Sequence, residues 1–413
     1  MSAIHSPPGP MSQNRAIPAW LTLLIAAASG LIVANIYYAQ PLIGPISASL
    51  GLSPQAAGLI ATMTQIGYGA GLLLVVPLGD LIENRRLVLT ILSVAILALA
   101  GAAVSTHSET FLVAALFIGV GSVAVQVLVP YAAHLAPETM RGRVVGNIMS
   151  GVMLGIMLAR PAASLVTEAL SWHAVFVFSA LLMTGLACVL RIALPSRQPA
   201  PGTGYGALLE SMGRLARYTD VLQRRALYHA FLFGAFSLFW TTVPLFLADR
   251  FHLSQNGIAL FALAGVAGAI AAPIAGRVAD RGWSKPATGL AMFSVAASFL
   301  VSRLGSSGSH AGLAILVLAA ILLDFGVTAN LVLGQRAIFL LGAEVRGRLN
   351  GLYMATFFTV GAIGSAIGGW SYARGGWSWS TWVGLALPLL ALSFFLTERK
   401  SKTPATAADP VTL

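Results

Sequence analysis

Long apolar runs follow one another along almost the whole chain, separated by short polar stretches. A run of about 20 apolar residues is long enough for a helix to cross the hydrocarbon core of a bilayer. The pattern therefore predicts an all-α membrane protein with twelve transmembrane helices. The predicted spans lie near 19–39, 56–77, 87–105, 111–133, 144–166, 173–194, 226–247, 257–276, 286–304, 311–333, 350–372 and 380–397.

The composition agrees with a membrane protein and gives no sign of an enzyme. Hydrophobic residues make up 57% of the 413 residues and charged residues 9%, and the mean hydropathy is +0.84. Soluble domains carry about 25% charged residues, so this chain has too little polar surface for water. Cys188 is the single cysteine, and no phosphate loop or nucleophile–base motif occurs. We expect no metal site, no cofactor and no catalytic activity.

The net charge of +11 describes topology rather than a site for nucleic acid. Most Arg and Lys residues lie in loops on the same side as the N-terminus, whereas Arg250, Arg303 and Arg374 fall on the other side. This asymmetry follows the positive-inside rule. It predicts a multi-pass membrane protein with both termini in the cytoplasm and without a nucleic-acid partner.

The spans divide into two sets of six around one polar stretch. RGRVVGNIM (141–149) matches RGRLNGLYM (346–354) at five of nine positions, and Asp80 after span two corresponds to Asp280 after span eight. A parallel repeat of six spans predicts two pseudo-symmetric bundles with the substrate site between the halves. The predicted segments are an N-terminal tail 1–18, a six-helix bundle 19–194, a cytoplasmic linker 195–225, a second bundle 226–397 and a C-terminal tail 398–413.

Small residues recur at four-residue spacing in spans two, five, eight and eleven, as in Gly151 with Gly155 and Gly364 with Gly368. This spacing places them on one helix face and lets two backbones approach closely. We expect these faces to form the interface between the halves.

Two ionisable residues lie inside apolar spans, Asp324 in span ten and Arg160 in span five. A charge at bilayer depth is costly, so it usually faces a bundle interior and serves ions, protons or a charged partner. We interpret Asp324 as a proton or cation carboxylate and Arg160 as its charge partner or an anion contact. Two alternatives stay open. Asp324 can fix span ten as a structural pair, and Arg160 can extend towards the outer surface.

Other polar and aromatic side chains in the spans are candidates for contact with a substrate. For the aromatic residues, plain helix packing is the alternative, and tyrosines near span ends are typical of the membrane interface. His229 is interpreted as an interfacial histidine rather than a proton carrier. The candidates for the substrate cavity are Asn35, Tyr38, Gln126, Met153, Trp240, Asn330, Tyr353 and Phe357.

Charged residues also repeat in the loops on the predicted cytoplasmic side. Carboxylates near arginines or helix N-termini can hold one face of a transporter shut. We expect a gating motif in each half. Its residues are Asp80, Arg85, Arg86, Arg141 and Arg143 in the first half, and Asp280, Arg281, Arg346 and Arg348 in the second.

The loop after span two reads VPLGDLIENRR (76–86), and the second copy reads GRVADR (276–281). These stretches, with ANIYYAQPL (34–42) and LDFGVTANLVLGQRAI (323–338), resemble the major facilitator superfamily and, within it, the twelve-span drug:proton antiporters and bacterial efflux permeases. The resemblance covers about residues 18–398 and implies alternating access and proton-linked efflux. One position departs from it, because Ala115 stands where many of these antiporters carry an arginine.

We therefore expect a secondary transporter that exports small amphipathic or apolar, drug-like compounds in exchange for protons, working as a monomer in the lipid bilayer. An exporter or facilitator of sugars or metabolites without proton coupling is the alternative. An integral-membrane enzyme is a remote one.

Overall fold

The computed structural model describes residues 18–199, 204–342 and 344–398. The predicted tails 1–18 and 398–413 lie outside the described residues, apart from Pro18 and Glu398. Residues 200–203 of the predicted linker lie outside them as well.

The described residues are almost entirely helical and contain no strand, as the sequence predicts. The α-helices are α1 Ala19–Ala34, α2 Ile43–Leu50, α3 Leu59–Leu74, α4 Asn84–Ala103, α5 Ser108–Ser122, α6 Ala124–Leu135, α7 Glu138–Ala169, α8 Trp172–Ala193, α9 Tyr205–Tyr218, α10 Asp220–Phe251, α11 Gln255–Ala262, α12 Ala267–Asp280, α13 Ser284–Leu304, α14 His310–Phe339 and α15 Arg346–Leu396. Short 3-10 helices cover Gln40–Leu42, Pro54–Ala56, Val76–Asp80 and Leu263–Val266.

Ten helical segments of the described chain are long and apolar enough to cross a membrane. The difference from twelve has two local causes. Span one is interrupted, because α1 ends after 16 residues and its C-cap Asn35 donates to the carbonyl oxygens of Leu31 and Ile32. Spans eleven and twelve are joined as α15 across a corner at Gly375 and Gly376, where the backbone is not helical. The fold agrees with the predicted class.

The chain divides into two compact units. Unit 1 comprises the described residues up to Ser53, Leu59–Arg214 and Leu253–Leu263, and unit 2 comprises Pro54–Gly58, Leu215–His252 and the described residues from Ala264 onward. In unit 1, α1 packs on α7, α3 on α5, and α4 on α5 and α8. In unit 2, α10 packs on α15, and α14 packs on α12 and α13.

Glycines make the closest helix contacts inside each unit. A Cβ atom added to Gly155 of α7 would lie 2.1 Å from the carbonyl oxygen of Gly30 in α1. In unit 2, a Cβ atom on Gly364 would lie 2.2 Å from the carbonyl oxygen of Gly234. These faces therefore join helices of the same unit, which corrects our expectation that they form the interface between the halves. Four-residue spacing reveals a close helix pair but does not identify the partner helix.

The predicted linker contains a short amphipathic helix, α9. Its Leu208 and Met212 are buried, and the Tyr205 hydroxyl donates to the carbonyl oxygen of Leu74 at 2.7 Å. The start of this helix is thus bonded to the end of α3 within unit 1. The next helix, α10, begins at Asp220, six residues before the predicted span.

Candidate functional site in the helix interiors

Asp324 lies midway along α14 with 4% of its surface exposed. The indole N–H of Trp240, in α10, donates to its Oδ1 atom at 3.0 Å. Helix α12 comes close at the same level, since a Cβ atom on Gly268 would lie 2.9 Å from Thr328 Oγ1 and 3.7 Å from Asp324 Cβ. A carboxyl group so deeply buried needs hydrogen bonds or a bound charge to offset the loss of water. Three helices of unit 2 thus converge on one acidic side chain.

Aromatic rings continue from Trp240 in both directions along α10 and α15. The Phe239 ring meets Trp240 edge to face at 5.8 Å, and Phe246 stacks on Trp377 at 4.5 Å. On α10, Phe233, Phe236 and Trp240 recur at spacings of three and four residues, which keeps them on one face. We call this set the aromatic column. It consists of Phe233, Phe236, Phe239, Trp240, Phe246, Phe357, Phe358 and Trp377, all buried.

The structure brings three predicted cavity residues together around His229. This histidine is 1% exposed and hydrogen-bonds to the side chain of Asn330. Its ring stacks on Tyr353 at 5.6 Å and meets the edge of Phe357 at 4.6 Å. The sequence interpretation as an interfacial histidine missed this arrangement. The available signal was its position, eleven residues before Trp240 and hence on the same face of α10.

Two polar atoms of this cluster, His229 Nδ1 and Tyr353 Oη, are buried without a hydrogen-bond partner among the described residues. An unsatisfied buried polar atom costs about 1–3 kcal/mol. The cluster therefore has hydrogen-bonding capacity left for a further polar group. The Tyr353 hydroxyl fits closely, because a Cβ atom on Gly334 would lie 2.3 Å from it.

In unit 1 the buried charge is Arg160 of α7, 3% exposed. Its Nε–H donates to Gln40 Oε1 at 2.8 Å, and its guanidinium group lies 5.1 Å from the centroid of the Tyr37 ring. The side chain is thus buried within unit 1 and contacts a polar and an aromatic group. The amide of Gln40 and the ring of Tyr37 both favour a cation at this point.

Two of the remaining cavity candidates of unit 1, Asn35 and Gln126, hydrogen-bond to other side chains. The Ser179 hydroxyl donates to Asn35 Oδ1, so this amide joins α1 to α8. Gln126 donates to the Tyr68 hydroxyl at 2.9 Å. Gln126 is half-buried, and so are Tyr38 and Met153.

The predicted gating residues of unit 1 surround a residue that the sequence did not single out, Glu83. Its carboxylate accepts hydrogen bonds from the backbone N–H groups of Arg85, Arg86 and Arg197. Desolvation alone would raise the pKa of Glu83, but these bonds outweigh it and lower the pKa. Arg85 also donates to the carbonyl oxygen of Leu194 at 3.3 Å. The start of α4 is thereby joined to the end of α8.

Other gating residues of unit 1 lie at its surface. Asp80 is exposed and makes no ion pair with a described residue. Arg141 is exposed and donates to the carbonyl oxygen of Ala133 at 3.0 Å, and Arg143 is exposed.

In unit 2 the repeated aspartate has a different environment. Asp280, at the end of α12, forms an ion pair with Arg336 of α14. Arg336 lies after predicted span ten (311–333) and was not among the predicted gating residues, so the sequence missed this partner. Arg346 donates to the carbonyl oxygen of Phe339 at 3.3 Å, Arg348 donates to that of Glu344 at 3.4 Å, and Arg281 is exposed. The two copies of the motif therefore use their aspartates differently.

The family model of the "Major Facilitator Superfamily" matches residues 22–338, more than half of the chain. The chain belongs to the Major Facilitator Superfamily. It is 37% identical over 369 residues to "Uncharacterized transporter YgaY" of Escherichia coli O157:H7, covering 87% of this chain and 92% of the relative. It is 32% identical over 349 residues to "Probable transporter SCO4007" of Streptomyces coelicolor, covering 84% and 80%. It is thus a multi-pass membrane transporter of this superfamily.

Solved structures of two other transporters have a similar fold. A POT family transporter in complex with 5-aminolevulinic acid has a TM-score of 0.74 at 12% identity, covering 91% of this chain and 94% of that one. A D-xylose–proton symporter has a TM-score of 0.71 at 16% identity, covering 91% and 97%. At this identity the likeness supports the fold alone.

Proposed function

We propose that this superfamily transporter couples proton movement to the export of small amphipathic or apolar compounds. The observation that carries the proposal is Asp324, the acidic residue buried in unit 2 beside Trp240. A carboxyl group in the apolar part of a membrane transporter is typical of proton relays and cation sites. Asp324 gains or loses its proton during the transport cycle, and Arg160 of unit 1 is its charge partner or holds an anion.

The walls of the helix interior support the proposed substrate class. The aromatic column gives unit 2 flat, polarisable surfaces that stack on rings or pack on apolar chains. Met153 adds a flexible thioether, which adapts to ligands of different shape. Asn35, Gln126 and Asn330 supply a few polar contacts, together with Tyr38, Tyr353 and Phe357. Mostly apolar walls with a small number of polar groups suit amphipathic molecules.

A sugar or metabolite facilitator without proton coupling is the second candidate. It is favoured by Ala115, which replaces the arginine of many proton-linked relatives, and by the unused hydrogen-bonding capacity of His229 and Tyr353. A hydroxyl-rich substrate would use such polar atoms, and uncoupled export would leave Asp324 a structural residue.

The gating residues complete the proposal. Alternating access requires the loops to favour one open state and then the other, and the motif around Asp80 and Asp280 biases that equilibrium. The protein works as a monomer in the bacterial inner membrane, with both termini in the cytoplasm.

Transport in inverted membrane vesicles tests the proposal. Dyes, drugs and sugars are screened with and without an imposed pH gradient, and Asp324→Asn is compared with the original chain. We expect the compound to accumulate inside the vesicles only when the pH gradient is imposed. In Asp324→Asn this accumulation should fall at least about tenfold, which corresponds to a free-energy change of about 1.4 kcal/mol.

The matched control is Asp249→Asn, the same change at an exposed aspartate that accepts a hydrogen bond from the Tyr372 hydroxyl. It should transport normally. Equilibration of a sugar across the membrane that is unaffected by the gradient and by Asp324→Asn would favour the second candidate. Gradient-driven transport that survives Asp324→Asn would remove Asp324 from the coupling mechanism.

A further inference from the structure

A groove of about 450 Å³ opens at one end of unit 2, where α12 and α14 end and α15 begins. Its position is on the side that the sequence predicts to be cytoplasmic. Among the residues that line it are Gly276 of α12, Val332, Arg336 and Phe339 of α14, Leu340 directly after α14, and Arg346 of α15.

The groove combines an apolar floor with two guanidinium groups. Leu340 is 82% exposed, although it is a large apolar side chain. The Arg346 guanidinium lies 5.6 Å from the centroid of the Phe339 ring and donates to the Phe339 carbonyl oxygen. A guanidinium group carries five N–H donors, so this bond leaves donors for an anion. Arginine binds phosphate oxygens in a bidentate manner.

We propose that this groove binds an anionic phospholipid, with its phosphate on Arg336 and Arg346 and an acyl chain along Val332, Phe339 and Leu340. Charge complementarity decides the occupant. A neutral lipid leaves both guanidinium groups unused, and a small soluble anion leaves the apolar floor exposed. Anionic lipids are concentrated in the cytoplasmic leaflet, and basic pockets between membrane helices bind their headgroups.

Asp280 competes with the lipid phosphate for Arg336. The ion pair of Asp280 and Arg336 lies at the surface, with side chains 65% and 42% exposed. Exposed ion pairs are weak, so a phosphate can displace the carboxylate. Removing the charge of Asp280 therefore strengthens lipid binding, whereas general damage to the groove would weaken it. This inference depends neither on the transported substrate nor on proton coupling.

Gly276 offers a way to fill the groove without strain. A Cβ atom added to it meets no atom within 4 Å, so Gly276→Phe places a ring in open space. Gly347, in the first turn of α15, has the same open surroundings but does not line the groove. Gly347→Phe is thus the matched control.

Native mass spectrometry of the full chain in a neutral detergent tests the proposal, with phosphatidylglycerol and phosphatidylcholine as probes. Phosphatidylglycerol should bind at least about fivefold more tightly than phosphatidylcholine, because one Arg contact with an anionic headgroup contributes about 1 kcal/mol of binding free energy. Arg336→Gln and Arg346→Gln should each weaken the binding of phosphatidylglycerol by about that factor, and Asp280→Asn should strengthen it. Gly276→Phe should weaken the binding of both lipids. The controls Arg348→Gln and Gly347→Phe should match the original chain.

Three results would overturn the proposal: equal affinity for the two lipids, an equal loss in Arg348→Gln and Arg346→Gln, or unchanged lipid binding in Gly276→Phe. Displacement of phosphatidylglycerol by inorganic phosphate at the same concentration would also overturn it, because it would identify a plain anion site. Melting temperatures of all variants are measured in parallel, and Asp280→Asn, which should gain affinity, excludes misfolding as the cause of the pattern.

Discussion

Unit 1 and unit 2 repeat the same helix plan but differ in what they bury. Unit 1 buries a cation, Arg160, beside the amide of Gln40, and packs α1 on α7 through glycines. Unit 2 buries an acid, Asp324, beside Trp240, and joins α10 to α15 by stacked rings in addition to the contact of Gly364 with Gly234. The backbone plan of a repeat thus survives while the chemistry of its interior diverges. The halves are therefore expected to play unequal parts in transport.

The largest expected effect tests the glycine contact of unit 1. Gly155→Leu would force a side chain against the carbonyl oxygen of Gly30, where even a Cβ atom would lie at 2.1 Å. Overpacking against backbone should destabilise the protein by about 3 kcal/mol or more. Thermal unfolding of the purified protein measures this. Gly185→Leu on α8, where a Cβ atom meets nothing within 4 Å, should leave the melting temperature nearly unchanged. Similar losses in both variants would contradict the argument.

The buried hydrogen bond of Asp324 should have the next largest effect. Trp240→Phe keeps an aromatic ring in the column but removes the donor to the carboxyl group. A hydrogen bond to a charged group is worth about 1.5–3 kcal/mol, and one between neutral groups about 0.5–1.5 kcal/mol. Trp377→Phe, which removes a 3.3 Å bond to the carbonyl oxygen of Ser302, is therefore the weaker control. If chemical unfolding shows that both variants lose the same free energy of unfolding, this result would argue against a charged Asp324 carboxylate.

The corresponding test in unit 1 is a substitution of the buried Arg160. Arg160→Met keeps the volume of the chain inside α7 but leaves the Gln40 oxygen without its donor. The expected loss is about 1–3 kcal/mol of unfolding free energy. Arg160→Lys should recover part of it, because the ammonium group still donates. If Arg160→Met is as stable as the original chain, the buried arginine serves transport and not the fold.

The smallest expected effect concerns Glu83, outside the membrane. Because its pKa is lowered in the folded state, its contribution is present above the pKa of the unfolded chain and is lost as pH falls through the folded pKa. The loss should stay near 0.5–1 kcal/mol, because Glu83 is half-exposed and acts as an N-cap. As the pH is lowered from neutral to acidic, the melting temperature of Glu83→Gln should fall less than that of the original chain. If the melting temperature depends on pH equally in both proteins, Glu83 does not contribute to stability in this way.

Sequence patterns were sufficient for the fold because membrane helices satisfy their backbone polar groups internally and must be apolar over a fixed length. The rarity of charges in lipid also pointed to Asp324 and Arg160. Partners were harder to predict. The bond from Trp240 to Asp324 joins residues 84 positions apart, and the bond from Arg160 to Gln40 joins residues 120 apart. Such contacts depend on which helices are neighbours, and helical periodicity does not contain that information. Periodicity did place His229 on the face of α10 that carries Trp240, but its neighbours Asn330 and Tyr353 come from other helices.

The corner in α15 limits how the protein can be altered experimentally. Gly376 has φ 59° and ψ −154°, a region open essentially to glycine alone, and a Cβ atom on Gly375 would lie 2.0 Å from the Trp379 ring. An epitope or fluorophore inserted at this corner would distort both arms of α15, because it would disturb the backbone of Gly376 and the close approach of Gly375 to Trp379. Reporter tags belong instead after the exposed Ser306, in the longer turn between α13 and α14.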